Sequence, residues 1–196
     1  MKKFLTFLTF LTVILSSVSK VHSIEADIFV QSTVNRASEA LNNKFSKEEK
    51  IEKLKEIASE TVDIKGIGFY TLGAYRKSIS DDQIKQYETL FKQYFLKSFA
   101  SRLAEYSNPE IEVVSKKKLN ENYTMVSSIL VSTEKRPEVK INWRIYTKNS
   151  ENPLIRDLII EGLSLARTQK EEFSSIIQSN DGDINALFAT LKEFVK

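Results

Sequence analysis

The sequence predicts an α+β domain in which helices come first along the chain and a four-stranded antiparallel sheet follows them. Two observations predict it. Apolar residues recur at intervals of three and four between residues 27 and 106, and they alternate with polar residues after Pro109. Helices that precede a meander of strands are typical of a domain with one face of the sheet covered by the helices.

The amino terminus has the three-part plan of a secretory signal peptide. Lys2 and Lys3 precede an apolar run over residues 4–15, and small and polar residues follow the run. The run is well short of the roughly 20 apolar residues that a membrane-spanning helix needs. This pattern predicts export of the protein.

Val21 and Ser23 suit the positions three residues and one residue before a cleavage site. We therefore expect residues 1–23 to be a signal peptide and residues 24–196 to form a single domain in the periplasm. The alternatives are a retained anchor helix and cleavage after another small residue, Ser19 or Ala26.

Loss of the signal peptide changes the chemistry that the chain offers. The only histidine, His22, leaves with it, and the chain has no cysteine. Nucleophiles of the Ser-His and Cys-His kinds and the usual zinc sites are thereby excluded. Three lysines also leave, so that 26 basic residues remain against 26 acidic ones. A nucleic-acid-binding protein would keep a basic excess, so we expect no nucleic-acid partner, no metal and no cofactor.

The amino-terminal part of this domain is predicted to be helical. An amphipathic helix is expected over residues 27–43, and a second begins after Ser46, which forms a capping box with Glu49. A short third helix closes near Tyr75 in a segment with three glycines, each of which weakens a helix by about 1 kcal/mol.

A long helix follows, from a second capping box at Ser80 and Gln83 to the Asn-Pro pair at residues 108–109. One side of it carries an apolar stripe in which five of seven residues are aromatic: Ile84, Tyr87, Phe91, Phe95, Phe99, Leu103 and Tyr106. Such a stripe is typical of the core of a small domain, and a plain adaptor protein remains one interpretation. Its aromatic content favours a wide apolar partner surface.

After Pro109 the apolar period changes to two, which predicts strands over residues 111–119, 123–132 and 139–146. The third strand alternates cleanly, with Val139, Ile141, Trp143 and Ile145 on its apolar face. Residues 155–165 fit either period. The turn before them, the paired isoleucines and an interior Gly162 favour a fourth strand. Helices over residues 168–179 and 183–194, the latter capped by Asp183, end the chain.

Asp157 and Glu161 lie four residues apart in this last apolar run. On a helix their Cβ atoms would be roughly 5–6 Å apart, as in a catalytic pair. On a strand they would be roughly 13 Å apart, too far for shared catalytic work. The strand prediction favours structural roles, as partners of basic side chains or of strand-end amide groups. The alternative is a small cavity enzyme in which either carboxylate acts as a base beside Tyr75 or Tyr146.

Four stretches occur in an order found in one protein family: LGAYRKSISDDQ, YETLFKQYFLKSFASRLAEY, DLIIEGLSL and TQKEEF. The motif positions are Leu72, Gly73, Tyr75, Gln83, Glu161, Gly162, Ser164 and Phe173. From about residue 63 to residue 194, the sequence resembles the periplasmic phospholipid-binding component of the Mla system, a family also described as toluene-tolerance or ABC-transporter auxiliary proteins.

The resemblance implies a curved four-stranded sheet backed by helices, with an apolar cavity between them that holds acyl chains. It implies a monomeric carrier, not an enzyme, with phospholipid as cargo. Its expected partners are an outer-membrane lipoprotein complex and an inner-membrane ABC transporter complex of the Mla type. Its expected role is in outer-membrane lipid asymmetry.

Together with the alternation of the third strand, the resemblance predicts that the cavity lies between the long helix, over residues 81–106, and the apolar face of the sheet. The expected lipid-binding residues are Leu72, Tyr75, Phe91, Phe95, Val139, Ile141, Trp143, Ile145, Ile160 and Leu163.

Overall fold

The computed structural model describes residues 23–134 and 136–196. The helices in these residues are α1 (Ala26–Ala40), α2 (Lys47–Thr61), α3 (Ile64–Leu72), α4 (Asp81–Leu103), α5 (Leu165–Gln178) and α6 (Ile184–Val195), with a 3₁₀ helix over Gly73–Lys77. The strands are β1 (Ile111–Lys118), β2 (Tyr123–Leu130), β3 (Val139–Tyr146), β4 (Leu154–Ile160) and β5 (Leu163–Ser164). The predicted signal peptide lies outside the described residues except for Ser23.

The helix starts follow from local side-chain chemistry. In both predicted capping boxes, the Ser hydroxyl accepts from the backbone amide of the third helical residue. Glu49 and Gln83 in turn accept from the amides of Ser46 and Ser80, at 2.8 and 3.0 Å. The Asp183 carboxylate caps α6 by accepting from the amide of Asn185 at 2.9 Å. These three predicted helix starts are confirmed.

The five strands form an open antiparallel sheet in the order β1-β2-β3-β4-β5. The β2 and β3 strands pair without a break, from Leu130 opposite Val139 to Tyr123 opposite Tyr146. The β3 strand buries every second residue, as its alternation predicts. The α+β class with a sheet in meander order is confirmed.

The prediction of four strands is wrong at the carboxyl end of the sheet. Residues 155–165 do not form one strand, because Glu161 (φ 49°) and Gly162 (φ 85°) reverse the chain between β4 and β5. A two-residue hairpin turn of type I′ needs positive φ at both positions, which Gly adopts at no steric cost. Gly162 therefore lies in a turn, and Ser164 ends β5 and caps α5, whose first residue is three residues earlier than predicted.

One face of the sheet is covered by helices. α1 packs on β1 and β2, and α3 and α5 pack on β4. α4 packs against α2, α3 and α6, further from the sheet. Apolar side chains from the sheet and from all of these helices form one main core.

A second, smaller cluster joins α1, α2 and α4. We call it the alanine cluster, and its buried residues are Ala40, Leu41, Leu54, Ala100 and Ala104. None of the helices in the described part of the chain has the length and apolar character that crossing a membrane needs.

Candidate functional site

The covered face of β3 forms the floor of the helix–sheet interface. Ile141 and Trp143 are 8% exposed and Ile145 is fully buried, whereas Val139 is half-buried. The Trp143 indole donates a hydrogen bond to Ser128 Oγ at 2.8 Å, and Ser128 Oγ donates to the Ile141 carbonyl at 3.3 Å. The only tryptophan of the chain is thus held in an apolar face with its polar group satisfied.

The opposite wall comes from the helices. Leu72 and Phe91 are buried in the main core, and Tyr75 and Phe95 are half-buried against it. The ring of Phe95 lies 6.1 Å from that of Phe91 and stacks on that of Phe99 at 5.5 Å, with 10° between the ring planes. Rings in such contact form a continuous apolar surface.

Two tyrosines, Tyr87 and Tyr94, have rings in contact with that of Phe91, and their hydroxyl groups remain neutral. The hydroxyl of Tyr87 shares a 2.8 Å hydrogen bond with Thr71, and Tyr94 donates to Gln169 at 2.8 Å. Burial raises the pKa of both phenols above the ordinary value of 10.0. Neither side chain brings a charge into the interface.

Eight of the ten predicted lipid-binding residues lie in or against the main core: Leu72, Tyr75, Phe91, Phe95, Val139, Ile141, Trp143 and Ile145. Ile160 is half-buried and opposite Ile141 in the sheet. Leu163 is 59% exposed, because the turn at Glu161 and Gly162 reverses the chain before it. Whether these side chains contact lipid remains a prediction.

The predicted apolar cavity is not shown at this interface, where the central side chains of β3 and Phe91 of α4 are buried. An open space of about 530 Å³ lies instead between α3 and α4. Its apolar lining comes from Ile64, Gly68, Phe69, Tyr87, Phe91 and Leu96. We call it the α3–α4 groove.

The two carboxylates singled out in the sequence do not form a pair. Asp157 is 4% exposed; it accepts from Ser164 Oγ at 2.6 Å and from the Ala166 amide at 3.0 Å, so it holds the start of α5 against β4. Glu161 lies in the turn and accepts from the Lys140 amide. These are the structural roles, including bonds to amide groups, that the strand prediction favours.

The two tyrosines of the enzyme hypothesis have other neighbours. The ring of Tyr146 lies 5.4 Å from that of Tyr123 and under the guanidinium of Arg156 at 4.7 Å. Tyr75 is part of the 3₁₀ helix and packs against the main core. In residues 23–134 and 136–196, no group of three or more acidic, His or Cys side chains is placed to hold a metal ion.

Two sets of ion pairs that join helices to the sheet were not predicted from the sequence. Arg156 on β4 pairs with Asp63, which also accepts from the Gly66 amide at 2.8 Å and so caps α3. Lys116 on β1 pairs with Glu25 and Asp27 at 2.7 and 2.8 Å. The partners are about 90 residues apart along the chain, so no local pattern could reveal them.

The Lys116 contact affects both charges. Its hydrogen bond holds the pKa of the Asp27 carboxyl below 3.8, and the two carboxylates raise the pKa of Lys116 above 10.5. The pair is exposed to solvent, so it fixes the position of α1 on β1 more than it stabilises the fold.

A solved structure shares this architecture. It is that of the phospholipid-binding protein from Ralstonia solanacearum, determined in complex with a phospholipid. It superposes with a TM-score of 0.74 over 88% of this chain and 97% of that chain, at 18% sequence identity. The likeness shows a common fold.

A family model gives the more specific result. The model of the MlaC protein family matches residues 31–193, which include every element from α2 to α5 and most of α1 and α6. The match includes most of the main core, the α3–α4 groove and the turn that carries Glu161 and Gly162. The chain therefore belongs to the MlaC family.

Proposed function

We propose that this protein binds phospholipid and carries it through the periplasm between an outer-membrane lipoprotein complex and an inner-membrane ABC transporter complex of the Mla type. The proposal rests on one observation. The helix–sheet interface of this MlaC family member contains aromatic side chains of α4 that are half-buried. The Ralstonia solanacearum protein with this fold has a phospholipid bound.

The lipid chains would lie between α4 and β3. Phe95 and Phe99 on α4 and Val139 on β3 are half-buried, so their rings and methyl groups are partly exposed to solvent. Displacement of these side chains opens room for acyl chains without breaking a hydrogen bond of the β2–β3 ladder. The ten residues predicted to bind lipid are the proposed walls, with Leu163 at the exposed rim.

The energetics explain why a carrier needs such an interface. Exposing acyl chains to water costs about 0.8 kcal/mol per CH₂ group, on the order of 20 kcal/mol for two long chains. An apolar interior offsets most of this cost and needs no nucleophile and no cofactor. Asp157 and Glu161 support this view, since both accept hydrogen bonds that hold the backbone.

Export is part of the proposal. We propose that residues 1–23 are removed as a signal peptide, so that residues 24–196 form the mature domain. The Ile24 amide, which would become the terminal amine, donates to the Ser150 carbonyl at 2.8 Å and thus ties the new terminus to the loop between β3 and β4. Amino-terminal sequencing of the purified protein would find Ile24 first.

Substitutions that place a carboxylate on one or the other face of β3 test lipid binding. We expect Ile141→Asp to abolish the extraction of phospholipid from vesicles, because an acyl chain cannot solvate a carboxylate. Since Ile141 is 8% exposed and its substitution can also unfold the chain, Val139→Asp on the same face serves as a second, half-buried variant. Lys140→Asp, on the exposed face, is the matched control and keeps full extraction.

Circular dichroism selects the folded variants for comparison. Equal extraction by the wild type and by a folded Val139→Asp variant would contradict the proposed wall. No extraction by the wild type would contradict the proposed function.

A further inference from the structure

The α3–α4 groove is an open apolar site apart from the helix–sheet interface. Its floor is made by Gly68 on α3 and by Tyr87 and Phe91 on α4, all of them buried. Phe69 and Leu96 line its sides. The lining on α4 extends from Tyr87 to Leu96, about 13.5 Å along a helix that rises 1.5 Å per residue.

Gly68 sets the depth of the groove. A Cβ atom built at this position would lie 2.8 Å from Cδ1 of Phe91, closer than two carbon atoms can approach. The absence of a side chain at Gly68 therefore lets the α3 backbone pack directly on the ring of Phe91, which is buried beneath it. The floor of the groove is part of the main core, so it does not collapse when the groove is empty.

The rim of the groove carries an excess of positive charge. Lys65 and Lys92 line it together with one carboxylate, Glu88, which lies 3.0 Å from the Lys65 amine. Arg76 is a further cation at this rim. The Lys65 amine and the Arg76 guanidinium both lie over the ring of Phe69, 5.4 and 5.6 Å from its centroid. An apolar floor beneath a basic rim suits a ligand with a hydrocarbon body and a negative head.

We propose that the α3–α4 groove binds a single-chain anionic amphiphile, a fatty acid or a lysophospholipid, with the acyl chain between Phe69 and Leu96 and the head group beside Lys92 and Lys65. The size favours one chain. The volume of about 530 Å³ lies within the range of small-molecule pockets. A fatty acid and a lysophospholipid share the chain and differ in the head group.

The test is a titration of the purified protein, followed by the NMR signals of backbone amides. Oleate and lysophosphatidylglycerol serve as probes in separate titrations, so that a carboxylate head and a phosphate head are compared. We expect saturable shifts of the Gly68 and Gln93 amide signals with at least one of them, while the indole signal of Trp143 stays in place.

Substitutions at the rim locate the ligand. Gln93→Trp places a bulky ring in the groove from an exposed position and should abolish the shift at Gly68. Lys92→Gln should weaken binding by about twofold to fivefold, the effect of one exposed charge. Lys97→Gln is the matched control, because Lys97 lies on the same helix, over the Phe194 ring at 5.7 Å, and leaves the affinity unchanged.

The outcome separates this site from the proposed carriage of phospholipid. Unchanged Gly68 and Gln93 signals with both probes would overturn the groove proposal, and so would equal affinity in the wild type and Gln93→Trp. Movement of the Trp143 signal alone would also overturn it, since the chain would then lie at the helix–sheet interface. Saturable shifts at Gly68 in protein that extracts no phospholipid would support the groove and contradict the carrier.

Discussion

Phe99 and Ala100 are neighbours on α4, yet they face two different parts of the interior. Ala100 is fully buried in the alanine cluster, where α1, α2 and α4 meet. Phe99 is half-buried against the main core and stacks on Phe95. Small side chains let three helices approach closely and fill their contact, whereas large rings at a helix set back from the sheet leave edges uncovered.

This difference gives α4 two roles. The alanine cluster anchors the carboxyl-terminal half of the helix, and the aromatic side presents a surface that another apolar molecule can share. The carrier proposal needs both, because rings can move aside for a lipid only if the helix that bears them stays in place. Substitutions in the alanine cluster should therefore mainly reduce stability, and substitutions on the aromatic side should mainly reduce lipid extraction.

Leu54→Ala should have the largest effect on stability. Leu54 is 1% exposed in the alanine cluster, and loss of such a side chain leaves a cavity that costs about 2–5 kcal/mol in the free energy of unfolding. Urea denaturation measures this loss. Folded Leu54→Ala protein should still extract phospholipid as the wild type does.

Phe99→Ala is the matched variant on the other side of α4. Because Phe99 is half-buried, we expect a smaller loss of stability, about 1–2 kcal/mol, together with reduced lipid extraction. If Leu54→Ala impaired extraction in the folded state and Phe99→Ala did not, the two roles of α4 would be wrongly assigned.

Asp157→Asn should have an intermediate effect. The carboxylate accepts from Ser164 Oγ and from the Ala166 amide in a buried position, and weakening these bonds costs about 1–3 kcal/mol. The control Glu161→Gln, in the exposed turn, should cost at most about 0.5 kcal/mol. Lipid extraction should survive both changes. A folded Asp157→Asn variant that kept lipid but lost a hydrolytic turnover would favour an enzyme instead.

Tyr87→Phe should have the smallest effect and a characteristic pH dependence. At pH 8 the lost hydrogen bond to Thr71 should cost about 0.5–1.5 kcal/mol, since Thr71 still donates to the Gly68 carbonyl. Burial raises the pKa of Tyr87, so its phenol ionises in the unfolded chain first, and wild-type stability falls as the pH rises above 10. The variant has no phenol to ionise at this position, so the difference between the two proteins should shrink at pH 11. A difference that stays constant in urea denaturation at both pH values would contradict this account.

Much of the fold follows from short-range patterns. The capping boxes at Ser46 and Ser80 locate α2 and α4, and the alternation from Val139 to Ile145 defines the covered face of β3. These features need only a few neighbouring residues, which is why the sequence reveals them. The hairpin at Glu161 and Gly162 was missed because apolar residues flank it on both sides, as they would inside a strand.

Other features depend on distant parts of the chain. The pair of Asp63 with Arg156 joins residues that only the folded topology brings together. The spacing between the helices and the sheet is likewise a property of packing, because periodicity identifies two apolar faces and does not give the distance between them. The α3–α4 groove arises from Gly68 lying on Phe91, a contact between two helices that neither helix encodes alone.

The central claim is that the mature protein carries phospholipid, and mass spectrometry of an organic extract from the purified protein tests it most directly. The account predicts phospholipid in the extract of the wild type and its loss from folded Val139→Asp protein, with Lys140→Asp retaining it. Wild-type protein that yields no phospholipid, even after incubation with phospholipid vesicles, would contradict the account.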